Sequence, residues 1–245
     1  MIAAAALPGL PEVRPGDDLA ALLAAAAGRL DGGLQPGDVL AVAHKVVSKA
    51  EGRVVRLEDI VPGERARALA AEHRKDPRHV QAILDESAEI VRADAGRIIA
   101  RTRHGFVCAN AGVDASNAGG AALLVLLPVD PDASARALRR ALGCAVVITD
   151  SFGRAWRRGQ CEVAIGVAGL RPLEDWHGRP DSDGRELVAT AIAVADEAAA
   201  AADLARSKDS REPAVRLRGL ERHVTPGDGP GIAALVRAAD EDLFR

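Results

Sequence analysis

An apolar run that stops at two oxygen ligands sets the frame for the rest of the chain. Ala145, Val146, Val147 and Ile148 make a short β-branched run, the pattern of a buried strand. It ends in Thr149, Asp150 and Ser151, and a loop with Gly153 and Gly159 follows, carrying Arg154, Arg157 and Arg158. A carboxylate and a hydroxyl at a strand end suit a hard cation such as Mg²⁺ or Mn²⁺, which prefers oxygen. The arginines beside it suit phosphate or carboxylate, held through paired donors. A plain reading stands next to this one: a strand, a polar turn and a solvated basic loop.

The chain has 245 residues, enough for one large or two small domains with a sizeable core. Its hydrophobic share of 48% against 27% charged residues places it among globular chains. A net charge of −3 argues against bulk binding to nucleic acid. Three Phe, two Trp and no Tyr are too few for a base-stacking platform. Cys108, Cys144 and Cys161 lack CxxC spacing and read as small buried residues of a reducing compartment. No secretory signal is evident in Met1–Leu7, and no run approaches the ~20 apolar residues of a membrane span. The expectation is a soluble, cytoplasmic protein with no nucleic-acid or membrane partner.

Taken in order, Leu7 to Pro11 is turn-rich, and Asp17 or Asp18 caps an alanine-rich helix to about Leu30. Val39 to Ala43 is a strand. His44, Lys45, Ser48 and Lys49 follow it, cations and hydroxyls that suit a phosphate-binding loop. No GxxxxGK[ST] is present, and exposed lysines are also the ordinary content of a solvated surface. Val54 to Leu57 is a strand, and Pro62 to Ala93 is helical, with a start at Asp76-Pro77. His73 and His79 read as packing or solvent-facing residues. Arg97–Thr102 and Phe106–Ala109 form a hairpin.

Asn110 to Asn117 is rich in small and oxygen-bearing residues. Asp114 suits a cation and Asn117 the same ligand, or both belong to an ordinary Asx-rich turn. Ala121 to Val129 is a strand, and Pro131-Asp132 opens a helix to about Leu142. Beyond Gly159, Val163 to Val167 is a strand, Asp175 to Gly184 a polar loop, and Glu186 to about Arg206 a long helix. Asp196 and Glu197 on it reach either a metal or solvent. Ala214 to Leu217 is a strand, and Ile232 to Phe244 a final helix.

The chain resembles the coenzyme F420-0:γ-glutamyl ligase family. The resemblance rests on Gly9-Leu10-Pro11, Val47 to Arg53, Asn110 to Asn117, Leu127 to Asp132, Ile148 to Arg154 and Val194 to Glu197, in the family's order over nearly the whole length. It implies an α+β fold of mixed sheets with packed helices, a single domain over residues 1–245, and an intertwined homodimer. It implies GTP-dependent addition of L-glutamate to F420-0, and to F420-1, through γ-linked amides, with Mg²⁺ or Mn²⁺. It leaves open a monovalent cation such as K⁺.

The resemblance further implies nucleotide binding by Gly9, Leu10, Pro11 and Glu12, by His44, Lys45, Lys49 and Asn117, and by a late loop. That loop is Arg206, Ser207, Lys208, Asp209, Ser210, Arg211 and onward to Pro213. Metal binding falls to Asp114, Asp150 and Ser151, and catalysis to Asp114, Asp150 and Lys49. Arg154, Arg157 and Arg158 are candidates for holding acidic substrate.

There are two departures. Ser151 stands where many relatives have Thr, which keeps the hydroxyl. Lys208 stands where the late loop often has a metal-binding Glu, and a protonated lysine has no lone pair for a cation. Either the second metal has fewer protein ligands or Asp209 substitutes. The C-terminal flavin-binding domain of some relatives is not expected here, nor is a flavin-dependent step. Two other readings stay open. One is a metal-dependent ligase or phosphotransferase with another acceptor. The other is a GTP-binding protein without catalysis.

Overall fold

The computed structural model describes residues 1–116, 118, 120, 122–207 and 209–242. Strand β1 spans Ala3–Ala6 and helix α1 spans Leu19–Ala27. The Asp18 carboxylate accepts the Ala21 N–H at 3.0 Å and so caps α1. Strand β2 is Val39–Ala43, and α2 follows at once over His44–Ala50. The expected phosphate loop after β2 is therefore helical, since Lys45, Val46 and Val47 carry no residue that breaks a helix. β3 is Val54–Arg56, α3 is Glu64–His73 and α4 is Pro77–Glu86.

The helical reading fails beyond Glu86. Ser87–Asp94 is strand β4, paired with β5 (Arg97–Thr102), which pairs in turn with β6 (Val107–Ala109). Ser87 Oγ donates to the Ile83 carbonyl at the end of α4. Ala88 and Ile90 thus serve a sheet, because a neighbouring hairpin supplies the backbone partners. β7 is the short Leu123–Val125, antiparallel to β3. Helix α5 runs over Pro131–Leu142, with Asp130 accepting the Ala133 N–H and Gly143 closing it in the left-handed region.

β8 spans Ala145–Arg154 and β9 spans Arg157–Ala168. The strand thus runs on past Asp150, and the expected arginine loop is the tip of a two-stranded ribbon. Cross-strand pairing from Ser151↔Glu162 to Arg154↔Arg157 extends it. β10 (Glu174–Asp175) pairs β11 (Ala191–Ile192), so the late helix, α6, covers only Val194–Asp203. β12 is Ala214–Arg218. The expected final helix is instead two 3₁₀ turns, Gly231–Ala234 and Ala239–Glu241. The Asp132 carboxylate accepts the Ile232 N–H there, taking a donor of the first turn.

The main sheet has the order β1-β12-β2-β8-β9, with β2 and β8 parallel and the other pairs antiparallel. Alternate residues of β2 and β8 bury opposite faces. Leu40, Val42, Val146 and Ile148 pack with α1, α2 and α5, whereas Val39, Ala41, Ala145 and Val147 pack with α6. Gly166 lets α5 sit on β9, since a Cβ there would lie 2.5 Å from the Pro131 carbonyl oxygen. A third cluster joins α3, α4 and the β3–β7 and β4–β5–β6 sheets through Ala66, Val80, Ile83, Ile98 and Leu124. The mixed α+β architecture matches the expectation. Among the described residues no helix is long and apolar enough to cross a membrane.

Candidate functional site

The parallel register of β2 and β8 builds the first half of the site. Ala43 lies opposite Thr149 at the end of that pairing, so His44, opening α2, stands beside Asp150, where β8 continues paired with β9 alone. His44 is buried, and its Nε2 lies 3.3 Å from Asp150 Oδ1. Its Nδ1 lies 3.4 Å from Ser48 Oγ, one turn along α2. Burial and the nearby Asp150 charge push the Cys108 thiol up to about 12, so it stays protonated and unreactive. Cys144 is likewise buried, while Cys161, on the ribbon, is only half-buried.

The third cluster contributes the second half. Asp114 exchanges both backbone hydrogen bonds with Val125 beyond the Asn110–Gly112 turn. Its carboxylate meets Lys45 Nζ at 2.6 Å, and Lys45 also donates to Ser116 Oγ at 2.8 Å. Burial works to raise the Asp114 carboxyl. The bonds from Lys45 and from the Ser116 N–H and hydroxyl outweigh it and hold the group below the ordinary carboxylate range. Asp114 is therefore an ionised acceptor at neutral pH.

A third contact brings in the N-terminal segment. Lys49 Nζ lies 2.5 Å from Glu12 Oε1, with the Glu12 side chain largely exposed. Gly9 turns the chain with φ +69°, where an L side chain is strained, and Arg29 Nη1 donates to its carbonyl at 2.8 Å. Leu10 packs partly against the main core, and Pro11 is exposed. One short helix, α2, thus touches Asp150, Asp114 and Glu12 through His44, Lys45 and Lys49.

The remaining expected residues divide. Arg154, Arg157 and Arg158 stand exposed at the ribbon tip beside Trp156, and Arg154 Nη2 donates to the Arg158 carbonyl at 2.8 Å. Arg206 points inward to Glu162 and to the Pro213 carbonyl. Ser207 Oγ donates to Asp209 Oδ1 at 2.7 Å, Ser210 Oγ donates to the Ser207 carbonyl, and Arg211 has φ +56°. Asn117 and Lys208 lie outside the described residues.

Glu162 is the residue that reading the chain in order misses. It is 4% exposed, faces Ser151 in the β8–β9 register and accepts the Ser151 hydroxyl. The one sequence signal was a lone acid immediately before the apolar run Val163–Val167. Glu197 is exposed, as solvation of at least one of the two acids implies, whereas Asp196 accepts the Ala164 N–H at 2.9 Å beside a register shift of β8–β9. Burial pushes its carboxyl up, against that hydrogen bond.

The donor set suits a hard cation: the Asp114 and Asp150 carboxylates and the Ser151 hydroxyl offer oxygen alone. Each carboxylate already faces a basic side chain, Lys45 or His44. Among the described residues no three His, Cys, Asp or Glu side chains form a metal-holding group. A cation shared with substrate oxygens and water fits that sparse set, as Mg²⁺ dehydrates reluctantly.

Residues 9–219 match the model of a protein family described as F420-0:Gamma-glutamyl ligase. Coenzyme F420:L-glutamate ligase of Methanothermobacter thermautotrophicus is 46% identical over 244 residues, 97% of this chain and 96% of that protein. The protein of the same name from Methanopyrus kandleri is 47% identical over 242 residues, 96% of this chain and 94% of its own. The one from Natronomonas pharaonis is 46% identical over 249 residues, 99% of this chain and 94% of its own. The matched span takes in Gly9, the whole of α2, Asp114, Asp150 and the late loop, and the chain belongs to the F420-0:γ-glutamyl ligase family.

Proposed function

We propose that the chain is a GTP-dependent ligase that adds L-glutamate to coenzyme F420-0, and then to F420-1, through γ-linked amides. The observation that carries this reading is the convergence on α2: His44 on Asp150, Lys45 on Asp114 and Lys49 on Glu12. Basic groups held beside carboxylates, of which Asp114 and Glu12 are open to solvent, suit a polyphosphate and an acidic acceptor. The relatives' shared name supplies the substrate pair.

Joining a free carboxylate to an amine needs activation. In the proposed route the γ-phosphoryl group passes from GTP to the terminal carboxylate of F420-0, forming an acyl phosphate and releasing GDP. The glutamate amine then attacks the acyl carbon. A C–N bond forms, inorganic phosphate leaves, and the amine gives up its proton. Lys49 and Lys45 exchange Glu12 and Asp114 for phosphate oxygens, an exchange that is cheap because both acids are partly exposed. Asp114, Asp150 and Ser151 would hold Mg²⁺ or Mn²⁺, which supplies charge neutralisation at the phosphates. The three arginines of the ribbon are candidates for holding the acidic acceptor. No covalent enzyme nucleophile is needed. The same reading carries a single-domain protomer, a homodimer and a cytoplasmic setting, with K⁺ as a possible helper.

The test is mass spectrometry of F420-0 incubated with the protein, GTP, Mn²⁺ or Mg²⁺, and L-glutamate. The expected result is a ladder of glutamate additions with release of GDP. GTP turnover that needs some acceptor other than F420-0 would overturn the substrate assignment.

A further inference from the structure

Glu162 belongs to neither the nucleotide set nor the metal set, yet it joins segments of both. It lies opposite Ser151 across the β8–β9 pair and accepts the Ser151 hydroxyl proton through Oε1. Its Oε2 lies 3.3 Å from Arg206 Nη2, and the Arg206 side chain is only 10% exposed. Arg206 Nη1 donates to the Pro213 carbonyl at 3.1 Å, closing the late loop across its neck. The same carbonyl accepts the Ala43 N–H at 2.7 Å, one residue before His44. One connected network thus links Ser151, both ends of the late loop and the start of α2.

We propose that Glu162 is a positioning residue: it fixes the rotor of the Ser151 hydroxyl so that only lone pairs face the site, and it anchors the late loop through Arg206. A hydroxyl has one proton and two lone pairs. With the proton given to Glu162, Ser151 offers a cation an oxygen and offers a phosphate no donor. Arg206 in turn contributes a positive charge against the buried carboxylate. This inference rests on the cation reading of Asp114, Asp150 and Ser151.

Glu162→Gln tests the hydroxyl directly. Arg206 presents only donors, so the amide must turn its oxygen toward Arg206 and its NH₂ toward Ser151. The Ser151 proton is then driven into the site, against a cation. Mn²⁺ binding is read from loss of the free-ion paramagnetic resonance signal, using the full chain with GTP present. E162Q is expected to bind Mn²⁺ about ten- to a hundredfold more weakly than wild type. Glu162→Asp, which keeps the acceptor charge, is expected to recover part of the loss.

Should E162Q fail to fold, Glu162→Met combined with Arg206→Met removes both members of the buried pair together, and Asp203, the other acid beside Arg206, is itself 36% exposed. Weakened Mn²⁺ binding in that double variant supports the proposal. Mn²⁺ affinity equal to wild type in E162Q, or in the double variant, overturns it and leaves the cation reading standing. Absence of Mn²⁺ binding by the wild-type protein overturns the cation reading itself, and the inference with it.

Discussion

The two halves of the site are held by different physics. Around Asp150 the backbone does the work: the β2–β8 register sets His44 beside it, and Glu162 lies buried behind Ser151. Around Asp114 a side chain does the work, because Lys45 reaches across to a carboxylate that is 39% exposed. Strand register is rigid and insensitive to salt, whereas a half-exposed ion pair is weak and screened. The first half is thus set before substrate arrives. The second is held by contacts that a polyphosphate can displace.

The largest effect is expected at the rigid half. Asp150→Asn should lower glutamate ligation roughly a hundredfold or more, a loss in the range seen when a preorganised charge or metal-site group is removed. Thermal unfolding should stay close to wild type, since Asp150 lies beyond the pairing of β2 with β8. Full turnover in that variant would show that the preset half is not the reacting one.

Lys45→Met probes the other half and should cost less, about tenfold in kcat/KM for GTP, with stability changed by less than about 1 kcal/mol. The contrast is sharpened by salt. In wild type the KM for GTP should rise with ionic strength, and in K45M the slope should flatten. Equal salt slopes would mean that the Lys45–Asp114 contact does not govern nucleotide entry.

The smallest effect lies away from both halves, at the start of α4. The Asp76 carboxyl is drawn down to about 2 by its bonds from Arg78, against a smaller opposing effect of burial. A depressed carboxylate stabilises the fold above its unfolded value near 3.8, and that stability is lost as pH falls toward about 2. Because the pair is partly solvated, Asp76→Ala should cost only about 1 kcal/mol at neutral pH. Denaturant unfolding at neutral pH and again near the folded value of Asp76 should show the difference shrinking. An unchanged difference would assign the loss to the capping hydrogen bond from the Arg78 N–H rather than to charge. The GTP KM should not move in either case.

Local signals carried well where they were complete. Asp130-Pro131 at the start and Gly143 at the end delimit α5, as a capping carboxylate and a left-handed glycine do. Val39–Ala43 is a strand as its apolar run implied, and the hairpin of β5 and β6 follows its turn. The signals failed where pairing outweighed propensity. Ser87–Asp94 and Ala191–Ile192 sit in helix-like composition, yet antiparallel neighbours take their backbone groups. At the site, His44, Lys45, Lys49, Asp114 and Asp150 were each legible as chemistry. Glu162 was not, because its meaning comes from Ser151 across the ribbon and from Arg206 far along the chain.

The residues alone determined the family, the oxygen and lysine content of the site, and the elements with their own caps and periodicity. Those depend on neighbours within a few positions, or on motifs spelled out in order. Tertiary structure decided that α2 serves three acids at once, that β8 continues past Asp150, and that Arg206 turns inward rather than outward. Strand pairing and buried ion pairs take their energy from groups brought together over long stretches of chain, and no local pattern encodes which groups those will be.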